Sequence, residues 1–305
     1  MRTGTFLELQ NLCGMPDAKA DTVQYLTDKL KQFLRPQDRV LFCFSVHGEN
    51  SVEDLFLRAV KNVGAKVLTL NGDYRWINIL KTAFNTRANV VLGPPLLILG
   101  LTKLAKVTNT PLYFRHVFTA GGPCLDWMID GIRRGLDCLS WGCFDPGEGC
   151  LVAGFSCPQG RGIHIRDDWF DVRIEDDEGG LLPDGSDGNV VLLRNTEPQV
   201  RYPIRLRARK TGSGCSCGCP SPKLVDLMPP HSVDPELLAL GQELYSWTSI
   251  LDCVLRKGEN GLEMELVVFP GEKLPKLPFC ARQIIRYWNP DTDVPVTYRF
   301  PVENS

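Results

Sequence analysis

The most constraining feature of this sequence is the regular alternation of two hydrophobic periods through its first 142 residues. Segments with apolar side chains on one helical face, such as residues 21–34 and 51–64, are each followed by a short apolar run, such as RVLFCFSV at residues 39–46. The first pattern is typical of amphipathic helices and the second of buried strands. This alternation predicts an α/β fold with a mostly parallel sheet and helices on both faces.

Some helix ends are also predictable from the sequence. Asp21 precedes the first helical segment and is expected to be its N-cap. Ser51 and Asp54 form a capping-box pattern at the second helix, and Gly64 is suited to end it.

The remainder of the chain has two further sequence patterns. After residue 142, short strands separated by turns predict a β-rich part. After the proline-containing segment MPPHSVDP, the pattern predicts a helix, a hairpin across GENG, a second helix at residues 278–288 and a last strand PVTYRF. We expect a large unit at residues 1–228, comprising an α/β part (1–142) and a β-rich part (143–228), and a small α+β unit at residues 229–305.

Charge and cysteine content exclude several classes of protein. Lys and Arg number 34 and Asp and Glu 36, for a net charge of −2, so we expect no general affinity for nucleic acids or anionic membranes. No apolar run approaches the roughly 20 residues that a membrane helix needs, and MRTGTFLELQ lacks a secretory-signal layout. Twelve cysteines in such a chain indicate buried thiols or metal ligands. We expect a soluble cytoplasmic protein.

Three cysteines alternate in the loop TGSGCSCGCPSP, and they need partners from elsewhere to bind a metal. Cys215 and Cys217 could join Cys157 and His164, seven residues apart in GFSCPQGRGIHI, in a closed Cys₃His site typical of structural zinc. Cys219 would then be a spare thiol or would replace one of these ligands. The alternatives are an exposed cysteine turn and a strand histidine that faces solvent or is hydrogen-bonded.

From residue 3 to about residue 302, the order of segments resembles phenylacetate-coenzyme A ligase and its relatives in the adenylate-forming superfamily. GRGIHIRDDWF and LLPDGSDGNVVL resemble that family's G-L-H-I-x-x-D-x-F and L-P-D-G-x-x-G-E-L-V, and CSCG resembles its C-x-C-G. In zinc-containing members, C-x-C-G acts with an upstream Cys and the His of G-L-H-I. The resemblance therefore implies zinc ligands at Cys157, His164, Cys215 and Cys217.

The resemblance also implies ATP, AMP and Mg²⁺ as ligands, at motifs that are altered here. RTGTF is a remnant of the phosphate loop, AGGP corresponds to the adenine segment G-A-E-P, and WGCFD corresponds to the aromatic-Gly-x-[ST]-E motif. Trp141 would stack on adenine, or else be a core aromatic, and Asp145 would hold magnesium. The other implied nucleotide contacts are Thr3, Gly4, Thr5, Gly121, Gly122, Pro123, Gly142 and Arg205.

Two catalytic features of the family are missing. VRYPIRLRARK resembles R-Y-R-T-x-D-L, but Leu206 replaces the aspartate that would accept hydrogen bonds from the ribose hydroxyls. The cationic side chains on this segment, Arg205, Arg207, Arg209 and Lys210, either grip a phosphate or carboxylate or form a solvated face. No lysine follows Lys276, whereas the family carries a catalytic lysine beyond its last strand.

These departures favour a reduced relative of the family. It keeps the fold and the zinc, has weak or no adenylating activity, and binds a nucleotide, a carboxylic acid or a partner protein. The alternative is an active ATP-dependent ligase that forms an acyl-adenylate from an aryl or short-chain carboxylic acid. A third reading, an acyl carrier using Cys143 or Cys150, lacks an activating base. A homodimer or a partner chain could cover the surface that the family's N-terminal region would occupy.

Overall fold

The computed structural model describes residues 16–44, 51–121, 125–144, 152–159, 161–195, 199–212 and 214–291. Its larger sheet has eleven strands in the order β2-β1-β3-β4-β5-β6-β7-β11-β10-β9-β8. The parallel strands are β1 (Arg39–Phe42), β2 (Lys66–Leu68), β3 (Val90–Gly93), β4 (His116–Thr119) and β5 (Leu139–Phe144). The mixed α/β fold with a parallel sheet, predicted from the alternation, is confirmed.

Five helices of the described residues connect or flank these strands. They are α1 (Pro16–Lys31), α2 (Val52–Val63), α3 (Trp76–Thr86), α4 (Pro95–Val107) and α5 (Asp126–Leu136). Successive residues of β1, and Cys43 directly after it, face two different cores: Val40 and Phe42 pack with α1 and α2, whereas Leu41 and Cys43 pack with α3, α4 and α5. Helices therefore cover both faces of the parallel strands, as a sheet with two apolar faces requires.

Helix termini follow the predicted signals at α2 but not at α1. The backbone N–H of Asp54 donates to Ser51 Oγ at 3.2 Å, and Gly64 ends the helix with φ +88°. The predicted N-cap Asp21 was wrong, because α1 begins at Pro16 and Asp21 lies inside it. Its carboxylate instead accepts a hydrogen bond from the guanidinium of Arg166 at 2.6 Å.

The β-rich part continues the same sheet in antiparallel fashion. Its strands are β6 (Gly154–Ser156), β7 (Ile163–Ile165), β8 (Phe170–Glu175), β9 (Asp187–Arg194), β10 (Val200–Thr211) and β11 (Lys223–Met228). Strand β6 pairs with both β5 and β7, and β7 pairs with β11. The loops that follow β6 and β10 are thereby brought to the same region.

The C-terminal part has a three-stranded sheet with one helix in its described residues. Helix α6 (Pro235–Ser246) precedes the hairpin of β12 (Ile250–Gly258) and β13 (Gly261–Val268), both as predicted. The helix predicted at residues 278–288 was wrong, because β14 (Arg282–Tyr287) pairs in parallel with β13. The predicted strand PVTYRF lies outside the described residues.

None of the described helices has the length and apolar character that crossing a membrane requires.

Candidate metal centre and nucleotide region

Strand pairing places four side chains of metal-binding type at one point. Cys157 follows β6, His164 lies in β7, and Cys215 and Cys217 lie in the turn between β10 and β11. Gly162 allows the β6–β7 turn to lie close to β11, because it has φ +105° and a Cβ there would be 2.6 Å from the Leu224 carbonyl oxygen. A side chain at this position would therefore disrupt the approach of the two loops.

The ligand atoms of the four residues have the separations of a tetrahedral site. They all lie within 4.8 Å of one another. Cys157 Sγ is 3.5 Å from Cys215 Sγ, and Cys217 Sγ is 3.2 Å from His164 Nε2. A zinc ion binds sulfur at about 2.3 Å and nitrogen at about 2.0 Å, so its ligand atoms are roughly 3.5–4 Å apart. Three sulfurs and one imidazole nitrogen fit zinc in number, type and spacing.

The imidazole is oriented by a neighbour outside the cluster. Nδ1 of His164 is 3.0 Å from the carbonyl oxygen of Ser221, which can only accept a hydrogen bond. The proton therefore belongs on Nδ1, and unprotonated Nε2 faces the thiols, as in metal-binding histidines generally. The hydroxyl of Ser221 donates to Asp167 Oδ1 at 2.8 Å and helps to hold this loop.

The thiols differ in how readily they ionise. A hydrogen bond from the backbone N–H of Cys217 is the main cause that lowers the pKa of the Cys215 thiol to about 6. Burial raises the pKa of the Cys157 thiol to about 11. The ammonium group of Lys223 lies 3.7 Å from Cys215 Sγ, where it offsets negative charge. A cation bound among the thiols would ionise them all.

Cys219 lies beside the cluster without joining it. Its backbone N–H donates to Cys217 Sγ at 3.4 Å, while its own thiol is not among the four converging groups. Sequence reasoning selected the four residues that converge here as candidate ligands, but it missed Ser221 and Lys223. Lys223 is paired with His164 across β7 and β11, a register that the sequence alone does not reveal.

The predicted nucleotide contacts lie only in part within the described residues. Thr3, Gly4, Thr5, Gly122, Pro123, Asp145 and the side chain of Arg205 lie outside them. Trp141 is buried, with 6% of its surface exposed; its ring lies 4.4 Å from that of Phe33, and its indole N–H is 3.4 Å from His116 Nδ1. The structure thus gives Trp141 a packing role beside Phe33, which precedes β1, and His116, the first residue of β4.

Two glycines of these motifs make close backbone contacts. The backbone N–H of Gly142 donates to Ser156 Oγ at 2.6 Å, joining β5 to β6. Gly121 has φ +76°, and a Cβ there would lie 3.1 Å from the ring of Phe44. The conformation of Gly121 therefore favours glycine, whereas Gly142 contributes a backbone hydrogen bond.

Three basic side chains on β10 whose placement is described are already paired within the chain. Arg207 contacts Asp187 at 2.6 Å, Lys210 contacts Asp184 at 3.3 Å, and Arg209 pairs with Asp226. The sequence missed these partners, which lie on β9, β11 and a connecting turn. The pairing supports a charged strand surface rather than a phosphate-binding site.

No protein-family model matches the chain, and no curated protein matches it in sequence. Solved structures do resemble it. 2-Hydroxyisobutyryl-CoA ligase in the postadenylation state, in complex with R3-HIB-AMP, is 12% identical over 94% of this chain and 70% of that chain, with a TM-score of 0.69. Benzoate CoA ligase from Burkholderia xenovorans LB400 is 12% identical over 92% and 64%, with a TM-score of 0.60.

A third similar structure is the amide bond synthetase McbA from Marinactinospora thermotolerans. It is 13% identical over 92% of this chain and 63% of that chain, with a TM-score of 0.51. These proteins share their fold with the chain. At 12–13% identity the likeness concerns the fold, and their reactions are not transferred by it.

Proposed function

We propose that the chain is an adenylate-forming-type protein, similar to phenylacetate-coenzyme A ligase, that holds a structural zinc and has weak or no adenylating activity. It would bind a nucleotide, a carboxylic acid or a partner protein. The proposed division is a large unit at residues 1–228 and a small unit at residues 229–305. A cytoplasmic location suits the proposal, because reduced thiols are then available to the metal.

The main support for weak activity is Leu206 on β10. Its side chain is 4% exposed and belongs to the same core as Tyr202 and Ile204. A leucine cannot accept the hydrogen bonds that the family's aspartate accepts from ribose. Loss of one contact made in the transition state typically costs about 3–4 kcal/mol, or roughly 10²–10³ in rate.

Zinc would be held by Cys157, His164, Cys215 and Cys217. Four protein ligands leave no open position for water or substrate, which is the arrangement of structural zinc. When bound, the ion would fasten the β6–β7 turn to the β10–β11 turn. The chain's own residues prepare this site through the Ser221 contact to His164 and the Cys219 N–H bond to Cys217.

The alternative is an active ligase for an aryl or short-chain carboxylic acid. Its support is the fold shared with 2-hydroxyisobutyryl-CoA ligase and benzoate CoA ligase. In that case Asp145 would bind magnesium, and ATP would be the cosubstrate. The amide bond synthetase among the similar structures indicates that the acceptor of an acyl group differs between proteins of this fold.

The test is acid-dependent exchange of labelled pyrophosphate into ATP, measured with a panel of aryl and short-chain acids. We expect no exchange above background, together with a rise in melting temperature on adding AMP or one of the acids. Exchange at a rate typical of ligases, on the order of 1–10³ per second, would overturn the proposal and establish the alternative. Absence of both exchange and thermal shifts would contradict ligand binding and leave partner binding as the proposed role.

A further inference from the structure

Helix α4 is buried along its length although it lies on the outside of the parallel sheet. Its residues from Pro95 to Ala105 are all buried, including Lys103, which is 6% exposed. A helix without a solvent-facing stripe must be covered on every side. Helices α3 and α5 cover part of its surface, and strand β12 of the C-terminal sheet covers a further part. The C-terminal part therefore completes the core around α4.

The buried ammonium group of Lys103 is satisfied by that C-terminal part. Its Nζ donates to the carbonyl oxygen of Ile250 at 2.6 Å and lies 5.1 Å from the centre of the Tyr245 ring. The hydroxyl of Tyr245 donates to Asp252 Oδ1 at 2.5 Å, which places a carboxylate near the lysine. Burial lowers the pKa of Lys103 to about 8. Burial of a charged amine is unfavourable unless the amine has partners, so these contacts must remain in place.

Apolar side chains surround this polar contact. Leu251 and Phe269 are at most 3% exposed and share one core with the residues of α4. Trp288 packs edge-on against Phe269, and Trp127 of α5 packs against Tyr245, each pair with ring centres 5.6 Å apart. Separating the two parts would expose this whole surface to water, which is unfavourable.

The segment between β11 and α6 is also anchored. Pro229 and Pro230 restrict the backbone, and Pro229 is buried. Asp234 is 8% exposed, accepts backbone hydrogen bonds from the first turn of α6 and pairs with Lys257. A connector with these contacts has little freedom to act as a swivel.

We propose that the C-terminal unit, here residues 235–290, is a fixed part of the core that Lys103 holds against α4, and that it does not move away as a lid. The resemblance to the adenylate-forming superfamily implies a small domain that swings over the active site, and the fixed unit proposed here differs from that. The proposal depends on packing alone and stands whether or not the chain adenylates an acid. Its test is therefore separate from the pyrophosphate exchange assay.

The test is acylation of lysines in the native full-length chain by an N-hydroxysuccinimide ester, followed over time by peptide mass spectrometry. Lys106 is the internal control, because it is exposed and lies about one turn further along α4. We expect Lys103 to react at least about 100-fold more slowly than Lys106, since it becomes accessible only when the structure opens. The lowered pKa of Lys103 favours its reactive form, so slow reaction reports inaccessibility.

Ligands provide a second arm of the test. Adding ATP, Mg²⁺ and each carboxylic acid of the panel should leave the Lys103 rate unchanged. A rate within about tenfold of that of Lys106, with or without ligands, would overturn the proposal.

Variants give the positive control. Leu251→Asp places a charge in the contact and should raise both the Lys103 acylation rate and the radius of gyration measured by X-ray scattering. Leu181→Asp is the matched control, because Leu181 is 68% exposed, and it should change neither. Should Leu251→Asp fail to fold, the wild-type rates with and without ligands still decide the question.

Discussion

At the scale of single residues, Asp38 is a buried carboxylate with several donors. It is 2% exposed and accepts hydrogen bonds from the Arg35 backbone N–H at 2.6 Å and from Asn89 Nδ2 at 2.8 Å, and it pairs with Arg115. Burial opposes its ionisation, but these hydrogen bonds outweigh that effect and lower the pKa of Asp38 below its usual 3.8. The group connects the ends of β1, β3 and β4.

This network predicts a specific loss of stability in acid. Because the pKa of Asp38 is lower in the folded chain, its contribution is present above pH 3.8 and is lost as the pH falls through the folded pKa. We expect Asp38→Asn to reduce the free energy of unfolding at pH 7 by about 1–3 kcal/mol. The difference from wild type should shrink below about pH 4.

Denaturant unfolding of both proteins between pH 2.5 and pH 8 measures this effect. Asp28→Asn is the control, because Asp28 is an exposed carboxylate on α1 that contacts Lys31 at 3.8 Å and Gln24 at 2.9 Å. Its variant should follow the wild-type curve. A constant difference between Asp38→Asn and wild type at every pH would contradict the assigned role.

At the scale of elements, the candidate metal site brings the β6–β7 turn and the β10–β11 turn together. The sequence predicts Cys157, His164, Cys215 and Cys217 as ligands, and a variant of Cys219 can test whether this fifth residue replaces one of them. We expect about one zinc per chain in purified protein, and little or none in Cys157→Ser or Cys215→Ser. Cys219→Ser should retain the metal.

Elemental analysis of wild type and the three variants, after the same purification, measures the zinc content per chain. The cysteine variants that lose zinc should also melt at lower temperature, because binding of a structural metal contributes directly to folding. A metal-free wild type of ordinary stability would rule out the site, and loss of zinc in Cys219→Ser would reassign one ligand.

The sequence predicts elements best where local signals and tertiary packing agree. The Ser51 cap and the hairpin across GENG rest on short-range contacts, and both are present. Asp21 looked like a cap because it precedes an apolar pattern, but it is recruited by Arg166 of the β-rich part. The segment of β14 was predicted as a helix from its local pattern. It forms a strand because it pairs in parallel with β13, and no local pattern encodes that pairing.

The same division applies to the metal site. Ligand types and spacings are local, so Cys157 and His164 were identifiable. Lys223 and Ser221 reach the site through the pairing of β7 with β11, and the carboxylate partners of the β10 cations come from other elements. Contacts of this kind depend on register, which one sequence does not specify.

At the scale of the whole molecule, the large core extends from the parallel sheet into the C-terminal sheet. Phe269 belongs to that core, is 1% exposed and contacts Trp288, although it directly follows a strand of the small sheet. A core that both parts share favours a single cooperative unfolding transition rather than separate melting of two units. This arrangement predicts that a cavity at Phe269, where the C-terminal sheet contributes to the large core, lowers the stability of the whole chain.

Phe269→Ala tests this directly. Removal of a fully buried phenylalanine typically costs about 3–5 kcal/mol, which for a chain of this size lowers the melting temperature by roughly 5–8 °C. Phe279→Ala is the matched control, because Phe279 in the same unit is 96% exposed and should melt within about 1 °C of wild type. Far-UV circular dichroism and calorimetry should record one transition, shifted as a whole. A second, lower transition that appears only in Phe269→Ala, with the first unmoved, would mean that the two units fold independently.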